Sequence, residues 1–294
     1  MKAEDFIKEV KESGIQVDDF DRKYAEFQGF QQMGIQMLLH FRDLCEMFKV
    51  HYQLGFGTLL GAVRDGGRIP WDYDIDVFVP YEEKDHLIEV LQKNLDSKYY
   101  ISGPEIDKRC PRSLLRIGIV GYSTDEMHID VFYYAGASDD KKEQTEMTRR
   151  LAEIQSIRFA KYVNPFTFSY GSLKRFVGLF AKKLRYIFVS GDKILKEYDE
   201  ICSRYKMADA KFVFLTGRHA INGIYRKEDM YETRPFEIDY GVFQIPVGYD
   251  TILRTQYGGD KYLQYYPLES RLKEFLSNYN KLVGYSQKKF KTKK

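Results

Sequence analysis

Within residues 55–76, GFGTLLGAVRDGGRIPWDYDID, three aspartates alternate: Asp72, Asp74 and Asp76. Read as a strand from Asp74 to Val79, this stretch directs Asp74 and Asp76 to one face, about 6–7 Å apart along the chain. Ile75, Val77 and Val79 then point the other way, into a core. Two carboxylates fixed that close repel each other, and such pairs serve to hold a divalent cation or to share a proton. Hard oxygen ligands at this spacing suit Mg²⁺ or Mn²⁺. A third acid, Asp130, lies between Ile129 and Val131 in MHIDVFYY, a strand able to pair beside the first. Asp74, Asp76 and Asp130 together make a face for one or two metal ions that bridge phosphate oxygens during phosphoryl transfer. The plain alternative is a solvated Asp-rich turn. The apolar/acidic alternation and the third strand acid favour the metal. An EF-hand is excluded, because its sixth position requires Gly and counting from Asp72 or Asp74 places Val77 or Val79 there.

Other residues can complete such a site. Gly57 permits close approach of a phosphate to backbone N–H groups, and the Thr58 hydroxyl can donate to it. Arg64 and Arg68, in the loop between, can meet phosphate through two parallel bonds. Trp71, the one tryptophan, can stack on a base or a quaternary ammonium, or anchor the loop by packing. His128 shares a strand face with Asp130 and is as well explained by burial as by ligand contact.

These side chains need elements to hold them. Residues 21–50 carry a helical period through Phe27, Phe30, Gly34, Met37, Leu38, Phe41, Cys45 and Phe48. A short strand over 51–56 follows, then a turn-rich segment with Gly61, Gly66, Gly67 and Pro70, the acidic strand, and a helix over 82–95. Residues 113–120 and 127–134 read as a hairpin. Residues 141–157 and 173–205 read as mostly helical, and 241–246 as a short strand. The expectation is an α+β protein: a mixed sheet flanked by helices over 1–150, and a mainly helical lobe over 151–294.

The chain has 294 residues and a formal net charge of +3. That small number hides a division. The last seven residues hold five lysines, and residues 164–191 hold Lys174, Arg175, Lys182, Lys183 and Arg185 with no acid. Everything else is net acidic, which speaks against a nucleic-acid binder. Over 173–188, apolar residues share one face and the cations the other. Such a segment is either a core helix with a solvated basic face or an interfacial helix on an anionic membrane. Three scattered cysteines, with no C-x-x-C, fit reduced thiols rather than a zinc module or a disulfide scaffold. No apolar leader and no run of about 18 apolar residues is present, so the expectation is a cytoplasmic protein, peripheral at most on the inner membrane face.

The run Gly57-Thr58-Leu59-Leu60-Gly61, then Arg64, then Pro70-Trp71-Asp72-Tyr73-Asp74-Ile75-Asp76, resembles the signature of the LicD family, which also contains fukutin and fukutin-related protein. The helix before it, the HIDVFYY strand, and residues 234–250 (RPFEIDYGVFQIPVGYD) with Tyr257-Gly258 extend the likeness over residues 27–271. Tyr73 departs from it, standing where an acid is frequent. The resemblance implies a nucleotidyltransferase-like fold. It implies metal-dependent transfer of a phosphorylated alcohol from a CDP-linked donor to a hydroxyl of a cell-surface glycan or its lipid-linked precursor, with release of CMP. Choline, ribitol and glycerol are the alcohols implied. It also implies Gly57 and Thr58 at the donor phosphates and Asp74, Asp76 and Asp130 as the metal triad. Of the 16% aromatic residues, those around the proposed site (Trp71, Tyr73, Phe132, Tyr133, Phe236, Tyr240 and Phe243) tilt the alcohol toward choline, since aromatic boxes suit a quaternary ammonium. Alternatives are a nucleotidyltransferase moving NMP to a small molecule, a D-x-D glycosyltransferase, and a non-catalytic binding module.

Overall fold

The computed structural model describes residues 1–123, 126–163, 173–216 and 223–291. Thr124 and Asp125 of the hairpin link, the 164–172 part of the acid-free stretch, and the end of the lysine run lie outside them. The chain begins with α1 (Ala3–Glu12) and the long α2 (Phe20–Phe48). The buried face of α2 repeats every three or four residues through Tyr24, Phe27, Gln31, Gly34, Met37, Leu38, Phe41 and Leu44, the stripe expected of a helix packed on one side. Lys49, in the left-handed conformation at φ 57°, ends it.

A seven-stranded mixed sheet follows. Its strands β1 (Gln53–Leu54), β2 (Ile75–Pro80), β3 (Tyr99–Ser102), β4 (Leu115–Ile119) and β5 (His128–Ala137) run in the order β1-β2-β5-β4-β3. Among the described residues only β2 and β5 pair in parallel, with Asp76 opposite Asp130. All ten residues of β5 are buried, as a central strand covered on both faces must be. The 113–120 and 127–134 segments do form an antiparallel pair. Between β2 and β3 runs α4 (Lys84–Asn94).

One local expectation fails. Residues after the first strand do not form an open turn-rich loop. They form α3 (Phe56–Leu60), which continues directly into a wider helical turn over Gly61–Asp65. Leu59, Leu60 and Ala62 are buried, and their burial outweighs the low helix propensity of the glycines. Gly61 serves close packing instead of a turn, since a Cβ there would stand 2.6 Å from the Gly67 carbonyl oxygen.

The second half is mainly helical: α5 (Lys141–Tyr162), α6 (Leu173–Arg185), α7 (Gly191–Cys202), the single-turn α8 (Lys227–Met230), α9 (Tyr249–Tyr257) and α10 (Leu268–Lys291). It also returns strands. β6 (Phe212–Leu215) pairs with the end of β5, and β7 (Ile224–Arg226) pairs with β6. A separate hairpin joins β8 (Thr233–Ile238) to the expected β9 (Gly241–Pro246) through Asp239 and Tyr240. The class is α+β, as the pattern indicated. Cys45, Cys110 and Cys202 are buried free thiols. Among the described residues no helix is long and apolar enough to cross a membrane.

The aromatic excess has its largest use in this architecture. Phe6 of α1, Phe20, Tyr24 and Phe27 of α2, and Phe275 of α10 form one ring cluster, and Trp71 joins it through Phe6 at 5.2 Å. Phe275 is fully buried and meets Phe27 edge-to-face at 5.2 Å. Phe275→Ala removes the centre of this cluster and is expected to cost about 3–5 kcal/mol of folding free energy, read by urea denaturation. A loss below about 1 kcal/mol would show that α10 is not part of the cooperative core.

Candidate functional site

The acidic loop is held by its own backbone. Gln31 of α2 donates from Nε2 to the Asp72 carbonyl at 2.6 Å and to the Ile69 carbonyl at 3.3 Å. The Tyr24 hydroxyl donates to the Pro70 carbonyl at 3.2 Å, and Asn278 of α10 donates to the Trp71 carbonyl at 3.0 Å. Arg68 donates from Nη2 to the carbonyls of Asp72 and Asp74 at 3.4 and 3.3 Å. Four consecutive carbonyls, from Ile69 to Asp72, thus accept from side chains. The loop is fixed without a ladder partner, and its side chains Asp72 and Asp74 remain partly buried.

Asp72 and Asp74 then lead into β2, whose Asp76 is half-buried while Ile75, Val77 and Val79 are fully buried. The alternation read from the sequence is therefore the alternation in space. Thr58 accepts the Asp76 backbone N–H on its hydroxyl oxygen at 2.8 Å, which positions Asp76 directly. The Gly57 N–H donates to the Asp76 carboxylate. A Cβ on Gly57 would lie 3.0 Å from an Asp72 carboxylate oxygen and 3.9 Å from one of Asp76. Gly57 and Thr58 thus sit in a helical turn rather than a loop, and they touch the acids. Arg68, Asp72, Asp74 and Tyr240, from the tip of the β8–β9 hairpin, line one small cleft with them.

The parallel register sets Asp130 beside Asp76. Arg116, directly opposite Asp130 on β4, donates from Nε to one carboxylate oxygen at 2.5 Å and from Nη2 to the other at 3.1 Å. Burial alone would raise the Asp130 carboxyl, but bonds from His128 and Arg116 hold it below the usual carboxylate range. His128 approaches the same oxygen through Nε2 at 3.5 Å, and its buried Nδ1 has no hydrogen-bond partner. Asp72 and Asp76 behave oppositely. Burial, followed by the charge of Asp74, pushes both carboxyls well above their ordinary value, and Asp72 also shares a hydrogen bond with Asp74.

Two further expected contacts have other employment here. Arg64 pairs with the buried Asp65 at 2.8 Å and lies 4.5 Å over the Tyr265 ring. Trp71 is 1% exposed, donates from Nε1 to the Tyr266 hydroxyl at 2.6 Å, and has the Arg271 guanidinium 5.2 Å over its ring. Its role is to anchor the loop from behind, so the ligand-stacking alternative is corrected: the ring face is already covered. Arg271 is similarly bound to Glu9. Sequence reasoning missed Arg116 and Gln31, and it named Tyr257 in the family likeness without placing it at the site, where its hydroxyl is pushed up by burial and by Asp76 and Asp72. Arg116 left one trace, a single cation inside the apolar run SLLRIGIV.

Among the described residues, no three His, Cys, Asp or Glu side chains already converge as a metal cage. The donor set still fits a hard cation of the Mg²⁺ kind, which takes one or two carboxylates and fills its remaining positions with water and substrate phosphate. Crowded carboxylates that burial and mutual repulsion push toward protonation are those a divalent cation would relieve. Asp74 and Asp76 are the available pair. Asp130, expected with them as the third ligand, already accepts from Arg116 on both of its oxygens.

Residues 49–169, which contain all four acids, match the family described as LicD/FKTN/FKRP, nucleotidyltransferase domain. Over 75 residues the chain is 39% identical to the lipopolysaccharide cholinephosphotransferase LicD of Haemophilus influenzae, covering 26% of this chain and 28% of that protein. It is 33% identical over 85 residues to an uncharacterised protein of Rickettsia prowazekii, covering 29% of this chain and 32% of that one. The chain spans less than a third of the length of these curated relatives.

The raised carboxyls make a signed prediction. Unfolded, Asp72 and Asp76 titrate near an ordinary value of about 3.9. As pH rises past that value the unfolded chain releases these protons before the native one does, so native stability falls with rising pH. Asp72→Asn removes one such group. In chelator, its melting temperature at neutral pH is expected to exceed that of the unmodified protein by about 2–4 °C, with the gain lost below about pH 4. A melting difference that does not vary with pH would contradict the assignment.

Proposed function

We propose, from the match of residues 49–169 to the LicD/FKTN/FKRP nucleotidyltransferase-domain family, that the chain is a phosphotransferase of the cholinephosphotransferase kind. The donor is a CDP-linked alcohol, with choline favoured. The acceptor is a hydroxyl of a cell-surface glycan or its lipid-linked precursor. The observation that carries this reading is the in-register pair Asp76 and Asp130 on buried parallel strands, with Asp72 and Asp74 beside them.

In this mechanism Asp74 and Asp76 hold the cation. When bound, Mg²⁺ or Mn²⁺ supplies charge that stabilises the donor phosphates as the bond to the leaving group breaks. The turn at Gly57 and Thr58 fixes the Asp76 carboxylate and leaves room for phosphate oxygens beside it. The acceptor oxygen attacks the phosphorus that bears the alcohol, and the bond from that phosphorus to the CMP oxygen breaks. The hydroxyl proton passes to one of the carboxylates gathered on this face. Asp130, held ionised by His128 and Arg116, helps orient the hydroxyl. Tyr240 and Tyr257 are the aromatic residues placed to meet a quaternary ammonium. This narrows the wider aromatic set, since Tyr133 and Phe243 are buried.

Purified protein incubated with Mg²⁺ and CDP-choline, CDP-ribitol or CDP-glycerol, with and without candidate glycans, is expected to release CMP, fastest with CDP-choline. Release of pyrophosphate from CTP and a small phosphorylated acceptor, in place of CMP, would favour the nucleotidyl-transfer alternative. Asp76→Asn is expected to lower CMP release at least about a hundredfold with little change in circular dichroism. A variant with near-normal turnover would sink the metal-face proposal.

A further inference from the structure

Helix α6 is amphipathic in the opposite sense from a core helix. Val177, Phe180 and Leu184 recur at steps of three and four and so share one face, and Ile187 follows in the turn after the helix. They are 55%, 40%, 55% and 50% exposed, and Phe188 just beyond the helix is 98% exposed. The lysines turn inward instead. Lys182 donates to the Ser156 hydroxyl of α5, and Lys183 donates to the Val163 carbonyl at 2.8 Å. From the other side, Lys161 of α5 donates to the Ile187 carbonyl at 2.9 Å. The helix is thus moored through polar groups, and a continuous apolar strip faces water. An exposed strip of this kind marks an interaction surface, since scattered single residues would need no account.

We propose that this strip docks on an anionic bilayer leaflet. The apolar side chains enter beneath the headgroups, and the net positive charge of the acid-free span attracts lipid phosphate. Arg185 is exposed beside the strip. Charge selects a membrane over a second copy of the chain. Residues 164–191 carry five cations and no acid, so closing the strip on itself sets like charge against like. An anionic leaflet supplies the missing counter-charge.

The full chain, mixed with vesicles of equimolar phosphatidylcholine and phosphatidylglycerol, is expected to float with them at low salt and to release at high salt or from pure phosphatidylcholine. Leu184→Asp with Phe188→Asp changes only exposed side chains and leaves the terminal lysines intact. It is expected to lower the partition coefficient more than about a hundredfold, with circular dichroism unchanged. Replacing Lys174, Arg175 and Arg185 by Gln is expected to cost about fivefold per cation at low salt. Absence of flotation by the unmodified chain would overturn the proposal, as would flotation of the apolar variant at the unmodified level. So would light scattering that shows a vesicle-free dimer which the apolar variant abolishes.

Discussion

Like charges resist being gathered, and this molecule gathers four carboxylates at one edge of a buried parallel strand pair. The opposing forces are met one group at a time. Arg116 neutralises Asp130 from the neighbouring strand. Asp72 and Asp74 share a hydrogen bond, and Asp76 accepts from the Gly57 backbone. The backbone beneath them is gripped by Gln31, Tyr24, Asn278 and Arg68, so the loop cannot relax by splaying outward. Without that grip the carboxylates would separate into water, where each is better solvated.

Much of the rest serves this restraint. The long α2 brings Gln31 and Tyr24 to the loop, and α10 brings Asn278. The aromatic cluster around Phe275 joins α1, α2 and α10 behind Trp71. Aromatic side chains bury large areas with few rotatable bonds, which suits elements that must hold a position.

The sheet and the acids were legible because period and chemistry coincide there. Ile75, Val77 and Val79 alternate with Asp74 and Asp76, and only a strand satisfies both sets. The Gly-rich stretch misled because glycine signals turns, whereas Leu59, Leu60 and Ala62 have enough apolar surface to impose a helix around Gly57 and Gly61. Strands β6 and β7 escaped notice for lack of length, being four and three residues long. Arg116, Gln31 and the placement of Tyr257 escaped for another reason. Their roles depend on register and on contacts remote in the chain, such as that of Gln31 with Asp72, 41 positions further on. A Trp beside an acidic motif is equally ambiguous until its ring faces are seen to be covered by Phe6 and Arg271.

The gripping of the loop carbonyls also bears on what counts as a module. Residues 49–169 carry the family likeness and every carboxylate of the site. Gln31 and Tyr24 precede that segment and Asn278 lies more than a hundred residues after it. Excised at the borders of its likeness, the segment would keep its acids and lose three of the side chains that hold them. The unit that resembles its relatives is therefore smaller than the unit that holds the acids in place, and a graft of the acidic strand would have to carry α2 and α10 with it.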